Sequence, residues 1–321
     1  MFLCPNCQAQ TALPTCNCCG YEFPLINEIW QLSDAPDLIL SGEGDKYIGY
    51  EHIGQSYSGS RRLIIEERDR VFAKFIAEQT KDGIFLDLAC GDGCFTVPAA
   101  ACGVTTIAGD ISNKMLLCLK EKAEANDISL ENVTLCRMNA LSIPLADATV
   151  TTAVANSVLH LISNPEKVIT EIHRVLKQGG TFLCIDDAPG KDAVSSFDNT
   201  KYNEIVNTLY GEYWKRLIAK NIYPKRYRWS YDRDSICDLI FSQKQTVVIP
   251  RDTVYKTPLK EGFLPRFLAR GFSDQVEVPD ALHEEITKAL LTEAEEKYGK
   301  SFFDISYQGI ESDLLITVYI K

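Results

Sequence analysis

Five cysteines fall within the first 19 residues of this chain, and four of them have the spacing of metal ligands. Cys4 and Cys7 in "CPNC" and Cys16 and Cys19 in "CNCCG" form two Cys-x2-Cys knuckles, the second followed directly by Gly20. Two such knuckles place four thiolates around a tetrahedral Zn2+, and a closed four-thiolate site is structural because it leaves no position open for chemistry. A segment too short to bury a core is then folded by the metal itself. Cys18 would allow a shifted register, but a glycine after Cys19 relieves crowding where the backbone turns toward the metal. The alternative is a tail of free or oxidised thiols.

A second constellation lies in "FLDLACGDGCF", residues 85 to 95. Asp87 interrupts an apolar run just before the chain turns through Gly91, Asp92 and Gly93. A buried strand excludes an unpaired carboxylate, since desolvating a charge without a partner costs several kcal/mol. A strand that ends in a glycine turn lets backbone approach a ligand beside the start of the next helix. Asp110 follows about 20 residues on, at the end of the next apolar run, where an acidic side chain in such folds accepts hydrogen bonds from a ribose.

These residues need a parallel sheet to hold them. From 83 to 187 short apolar runs alternate with helical patterns, as in an α/β sheet with helices on both faces. Strands are expected at "IFLDLA" (84 to 89), "TTIAGD" (105 to 110), "NVTLCR" (132 to 137), "TVTTAVAN" (149 to 156) and "TFLCID" (181 to 186). Ser112 is positioned to cap one helix and Asn164-Pro165 to open another, which Gly179-Gly180 would end.

The turn departs from the dinucleotide fingerprint G-x-G-x-x-G, and the whole series resembles class I S-adenosylmethionine-dependent methyltransferases, whose first motif is commonly D/E-x-G-x-G-x-G. The resemblance runs from about 83 to 187. It includes "AGDIS" for the ribose segment, "RMNALSIPLADATV" for the adenine loop and "EIHRVLKQGGTFLCID" for the helix, glycine turn and fifth strand. It implies a Rossmann-like seven-stranded sheet that binds S-adenosylmethionine through Asp87, Ala89, Gly91, Gly93, Asp110, Ile111, Asn139, Ala140 and Asn156. Asp87 would meet the cofactor's ammonium, or else only tie down amides of its own turn. Ala89 stands in place of the usual first glycine, and Asn139 in place of the usual Asp. Adenine binding would then lean on the backbone N–H of Ala140.

His160, just past the fourth strand, is a candidate base or pocket residue, with a core or capping histidine as the alternative. "YIGYEHIGQSYSGSRR" resembles a segment that closes over the cofactor, with Tyr50 and Tyr57 as lid candidates. The expected organisation is a zinc ribbon at 1–30, linker and lid helices at 31–82, the cofactor core at 83–188, an inserted substrate cap at 189–300 and closing strands, "SFFDISY" and "DLLITVYI", at 301–321.

Bulk properties narrow the partners. The 321 residues are 45% hydrophobic and 24% charged, as in ordinary globular proteins. No stretch has the roughly 18 consecutive apolar residues of a membrane span, and Met1 leads almost directly into Cys4 rather than into a signal sequence, so no membrane partner and a cytoplasmic location are expected. With 44 acidic residues against 33 Lys and Arg, the net charge of -11 opposes binding of a nucleic acid backbone. One stretch runs against this trend: "WKRLIAKNIYPKRYR", from Trp214 to Arg228, carries six cations and no acid.

The leading expectation is therefore a methyltransferase acting on a small-molecule acceptor. The alternatives are an rRNA guanine methyltransferase, since guanine-N1 rRNA methyltransferases also carry an amino-terminal zinc module, and a non-catalytic zinc-ribbon adaptor. Metal analysis should find one zinc per chain, retained after Cys18→Ser and lost after Cys19→Ser. The reverse pattern would move the ligand set to Cys18.

Overall fold

The computed structural model describes residues 1–35, 38–40, 46–48, 63–187, 197–224, 231–272, 274–275 and 278–321. At its centre is one sheet whose strands, in chain order, are β1 (Leu25–Ile26), β2 (Ile29–Gln31), β3 (Phe85–Leu88), β4 (Thr106–Asp110), β5 (Val133–Arg137), β6 (Val150–Val154), β7 (Leu176–Asp187), β8 (Gln243–Ile249) and β9 (Leu314–Ile320). They lie in the order β8-β9-β7-β6-β3-β4-β5-β2-β1. The run from β7 across to β2 is parallel; β9 is antiparallel to β7 and to β8, and β1 to β2. All four residues of β3 and all five of β4 are buried, because helices cover both faces of the sheet.

Helices α1 (Glu67–Thr80), α2 (Thr96–Ala101), α3 (Asn113–Ala125) and α4 (Pro165–Val175) flank these strands. The Ser112 side chain accepts the Met115 N–H and so caps α3, and Asn164 does the same for α4 through the Lys167 N–H. α4 ends at Val175, short of Gly179-Gly180, because Leu176 already pairs with Val150 and opens β7.

Three expectations about the sheet need correction. It has nine strands rather than seven, because 25–31 adds β1 and β2 beyond β5. The stretch 189–300 is not one continuous cap, because β8 lies inside it and pairs along the whole of β9. β8 reads as polar because it is an edge strand with mostly exposed side chains. Of the two expected closing strands, only the segment containing β9 joins the sheet. Ser306–Ile310 instead forms a separate antiparallel pair with Val254–Pro258.

Outside the sheet, α5 (Thr200–Ile218), α7 (Phe263–Leu268) and α8 (Asp280–Tyr298) enclose a second core containing Leu209, Tyr213, Phe267, Leu290 and Phe302, while α6 (Arg233–Ile240) joins the main core through Cys237. Among the described residues, no helix is long and apolar enough to cross a membrane.

Candidate functional site

β3 delivers Asp87 to the start of the glycine turn. The carboxylate is 2% exposed. Its Oδ2 accepts the Thr96 hydroxyl at 2.6 Å, and the Thr96 backbone N–H also donates to it. Burial pushes the Asp87 carboxyl up to about 7, against the pull of these Thr96 bonds and with help from the nearby charges of Asp110 and Asp92. Asp87 therefore ties strand β3 to the first residue of α2.

The turn has the backbone that glycines serve. Gly91 has φ 57° and Gly93 φ 78°. A Cβ on Gly93 would lie 2.5 Å from Leu119 Cγ, so a side chain there would push α3 away. Ala89 also sits in the left-handed region, at φ 56°, where a Cβ costs about 1–2 kcal/mol.

At the end of β4, Asp110 Oδ2 accepts the Gly91 N–H at 2.9 Å and Oδ1 accepts the Ser112 N–H at 2.9 Å. Ile111 follows, its carbonyl accepting Arg137 Nε at 3.1 Å. Asn139 Oδ1 accepts the Leu141 N–H at 2.9 Å and its carbonyl accepts the Ser142 N–H, turning the loop that carries Ala140. Glu171 and Arg174 of α4 hold that loop from behind, through the Ile143 N–H and the carbonyls of Ile143 and Leu145.

The structure thus brings Asp87, Ala89, Gly91, Gly93, Asp110 and Ile111 together at the carboxyl edge of β3 and β4, with Asn139 and Ala140 just past β5. Asn156 and His160 lie half-buried after β6, His160 on a single 3-10 turn, Leu159–Leu161. Tyr50 and Tyr57 lie outside the described residues.

Several residues of this region were not anticipated. Thr96, the partner of Asp87, is an ordinary-looking helix residue. Below the turn, Lys122 Nζ lies 3.0 Å from Asp92 Oδ2 although Lys122 is almost fully buried. Nearby Asp69 is pushed up to about 6 by burial and by Glu66. The acidic residue between two glycines was the only signal of this pair.

At the amino terminus, the sulfurs of Cys4, Cys7, Cys16 and Cys19 lie within 4.8 Å of one another, and exposed Cys18 is not among them. Cys4 Sγ and Cys19 Sγ are 3.6 Å apart, and Cys7 Sγ and Cys16 Sγ 3.7 Å. A tetrahedron of ~2.3 Å Zn–S bonds has edges of about 3.8 Å, so the donor set fits Zn2+. Backbone N–H groups of Cys19 and Cys18 hold the Cys16 thiol down to about 6, and those of Tyr21 and the Asn6 side chain lower Cys19, while Cys7, against the pull of the Ala9 N–H, is pushed up by burial and by the Cys19, Cys16 and Cys4 sulfurs.

A cavity of about 1290 Å3 opens at the same edge of the sheet. It is bounded by residues 64–68 at the start of α1, Arg251 after β8, Ser312 before β9, and the separate strand pair and helices of the second core. Its wall is aromatic: Tyr255 stacks on Tyr307 with centroids 6.0 Å apart, Tyr202 meets Tyr307 edge-on at 5.5 Å, and the Arg266 guanidinium lies 4.6 Å over the Phe272 ring. Neither Asn156 nor His160 lines it.

The basic stretch looks different in three dimensions. Trp214 and Leu217 are buried, Lys215 pairs with Glu212 and Arg216 with Glu293. Lys225, Arg226 and Arg228 lie outside the described residues.

Residues 86–184 match the family described as "Methyltransferase domain". A demethylmenaquinone methyltransferase of Alkalihalophilus pseudofirmus is 25% identical over 233 residues, covering 71% of this chain and 90% of that protein. One from Staphylococcus aureus is 27% identical over 186 residues, covering 56% of this chain and 73% of that protein. Among solved structures, the YcgJ protein of Bacillus subtilis superposes with a TM-score of 0.45 at 19% identity, over 80% of this chain and 99% of that one. The chain is a methyltransferase with an α/β fold. Its methyl donor is S-adenosylmethionine.

Two measurements follow from this geometry. Ala89→Gly should raise stability by about 1 kcal/mol by relieving the left-handed backbone, shifting the thermal midpoint up by about 2 °C. A drop in the midpoint would mean that the methyl group packs favourably enough to outweigh that strain.

The second concerns Asp87. Its folded-state value near 7 stands above its ordinary value of 3.8, so between these the native state keeps a proton that the unfolded chain has released. Its contribution to stability is greatest below about pH 4 and declines as pH rises toward 7, at up to about 1.4 kcal/mol per unit. Denaturant unfolding of wild type and Asp87→Asn across this window should show the variant gaining on wild type as pH rises. A constant difference would place the Asp87 carboxyl at an ordinary value.

Proposed function

We propose that the enzyme transfers a methyl group to a small aromatic acceptor held in the cavity past the end of β8 and the start of β9. The observation that carries this reading is the aromatic wall of Tyr202, Tyr255 and Tyr307 at the same carboxyl edge as Asp87 and Asp110. Ligands of open parallel sheets lie beyond that edge. The register of Asp187 and Ile249 with Leu314 puts the ends of β7 and β8 and the start of β9 there too. An acceptor built on aromatic rings suits offset and edge-to-face contacts with this wall. The demethylmenaquinone named for the relatives is one such compound.

In this reading Asp87 holds the amino group of the cofactor's methionine end, Gly91 and Gly93 let the turn approach it, and Ala89 contributes only backbone. Asp110 takes the ribose hydroxyls while its backbone bonds keep the turn in place, with Ile111 beside it. Asn139 and Ala140 face the adenine, and Asn156 lies toward the methionine end. S-adenosylmethionine supplies, when bound, a methyl group on a sulfonium that a nucleophile displaces in line. The chain's part is to align the acceptor and exclude water, and these effects can carry most of such a reaction. His160, half-buried and away from the cavity, is assigned no proton transfer. Zn2+ in the four-cysteine site is structural. None of the twelve cysteines is in a disulfide, which suits a reducing compartment, and we place the enzyme in the cytoplasm.

The aromatic-acceptor reading is preferred over rRNA because two of the six cations of the basic stretch are ion-paired and its tryptophan is buried. Labelled S-adenosylmethionine offered to a panel of phenols and quinols, and separately to rRNA, should mark the aromatic compounds. Tyr307→Ala should raise the acceptor KM about tenfold or more while leaving cofactor affinity unchanged. Label on rRNA, with binding that falls steeply as salt rises, would replace this reading by the nucleic acid one.

A further inference from the structure

We propose that the four-cysteine module is a positioning element of the cofactor site, so that metal and S-adenosylmethionine strengthen each other's binding. The proposal rests on the reading above, in which Asp110 and Ile111 meet the ribose and Asn139 and Ala140 face the adenine. It arises from what the first 35 residues touch.

β2 does not merely sit on the sheet edge. Gln31 pairs with Arg137 on β5, and Arg137 pairs with Asp110 on β4, so one rung of the sheet joins the module to the acid expected at the ribose. The Gln31 side chain forms two reciprocal amide bonds with Asn113, at 3.0 and 3.2 Å, directly after the Ser112 N–H that Asp110 accepts. Arg137 donates to the Ile111 carbonyl on one side and to the Ser33 and Ala35 carbonyls on the other. On α3, Lys120 donates to the Asn27 carbonyl.

The adenine loop is held the same way. The Leu3 N–H donates to the Pro144 carbonyl and the Ala146 N–H to the Met1 carbonyl, both at 3.0 Å, with Phe2 bridging to Leu145. The loop is thus clamped between the chain start and the Glu171–Arg174 pair of α4.

What keeps the clamp closed is the cysteine cluster. The module's own apolar cluster is Cys4, Cys16 and Phe23, with Trp30 and Leu32 packing against both this cluster and the main core, while Ile29 is buried against the sheet. A cluster of three apolar residues cannot order a segment of this length, and the metal must supply the remainder. Without it, the anchors that hold 1–3 and Pro24 are released, and Gln31 loses its N–H bond to the Pro24 carbonyl. Coupling between two binding events is reciprocal: whatever factor zinc adds to cofactor affinity, the cofactor must add to zinc affinity.

The test uses the full chain. Calorimetry should show S-adenosylmethionine binding about tenfold more weakly after zinc is stripped, within the range of coupled sites. Chelator competition should show zinc held more tightly, by the same factor, when S-adenosylmethionine is saturating. Gln31→Leu leaves all four cysteines in place; it should retain zinc yet weaken S-adenosylmethionine about fivefold, so a collapse of the metal-free chain does not decide the matter. Equal cofactor affinity with and without zinc, or an unchanged zinc affinity when cofactor is added, would overturn the clamp. If zinc-loaded wild type binds no S-adenosylmethionine, the cofactor reading itself fails and the clamp with it.

Discussion

Each oxygen of the Asp110 carboxylate accepts one backbone N–H, from Gly91 on one side and Ser112 on the other, and the ligand edge of the sheet is organised around that pair of bonds. They join a glycine turn, held from its other side by the Asp92–Lys122 pair, to the capped start of a helix. A carboxylate bound to amides gains charge-assisted hydrogen bonds of about 1.5–3 kcal/mol each, enough to fix two otherwise mobile turns. Asp87 does the complementary work one strand over, fastening β3 to α2 through Thr96. The difference between the two acids lies in their surroundings. Among the described residues no cation offsets the burial of Asp87, which is driven toward the neutral form; in the proposed reading the cofactor's ammonium would restore its charge.

Much of this edge could be read from residue order alone, for a physical reason. Strands buried on both faces appear as continuous apolar runs, and β3 to β7 were all located that way. Turns that need positive φ attract glycine, which exposed the 91–93 turn. The rest failed where the physics leaves a weaker trace. β8 opens with four polar residues and leaves most side chains exposed because it lies at an edge, and it was absorbed into the cap. β1 and β2 are too short to carry a period. Gly179-Gly180 looked like a helix stop, although the helix had already ended at Val175 because strand pairing claims Leu176.

The candidate site divides along the same line. Residues on consecutive strand ends, such as Asp87 and Asp110, are close in sequence and follow a known spacing. Tyr202, Tyr255 and Tyr307 come from a helix and two paired strands far apart in the chain, and only the fold of the second core sets them against one another. Pattern reading finds elements that position backbone and misses walls assembled from remote side chains. Gln31 shows the same limit, since its pairing with Asn113 depends on β2 finding the β5 edge.

Charge placement around the cavity bears on what it can hold. Arg251 and Glu311 lie 3.5 Å apart at its margin, Lys260 pairs with Asp304, and Arg266 spends its charge on an aromatic face and the Gly271 carbonyl. Cations already compensated within the protein offer little attraction to a polyanion, and the surrounding chain is net acidic. The rings are different: they present apolar faces of fixed orientation that lose little conformational freedom when a flat molecule lies against them. Leu63, Ile64, Val254 and Leu268, on the elements that bound the cavity, leave large apolar side chains exposed. An acceptor with a flat ring and an apolar extension would bury both kinds of surface at once, and the cavity's volume exceeds what a ring alone would fill.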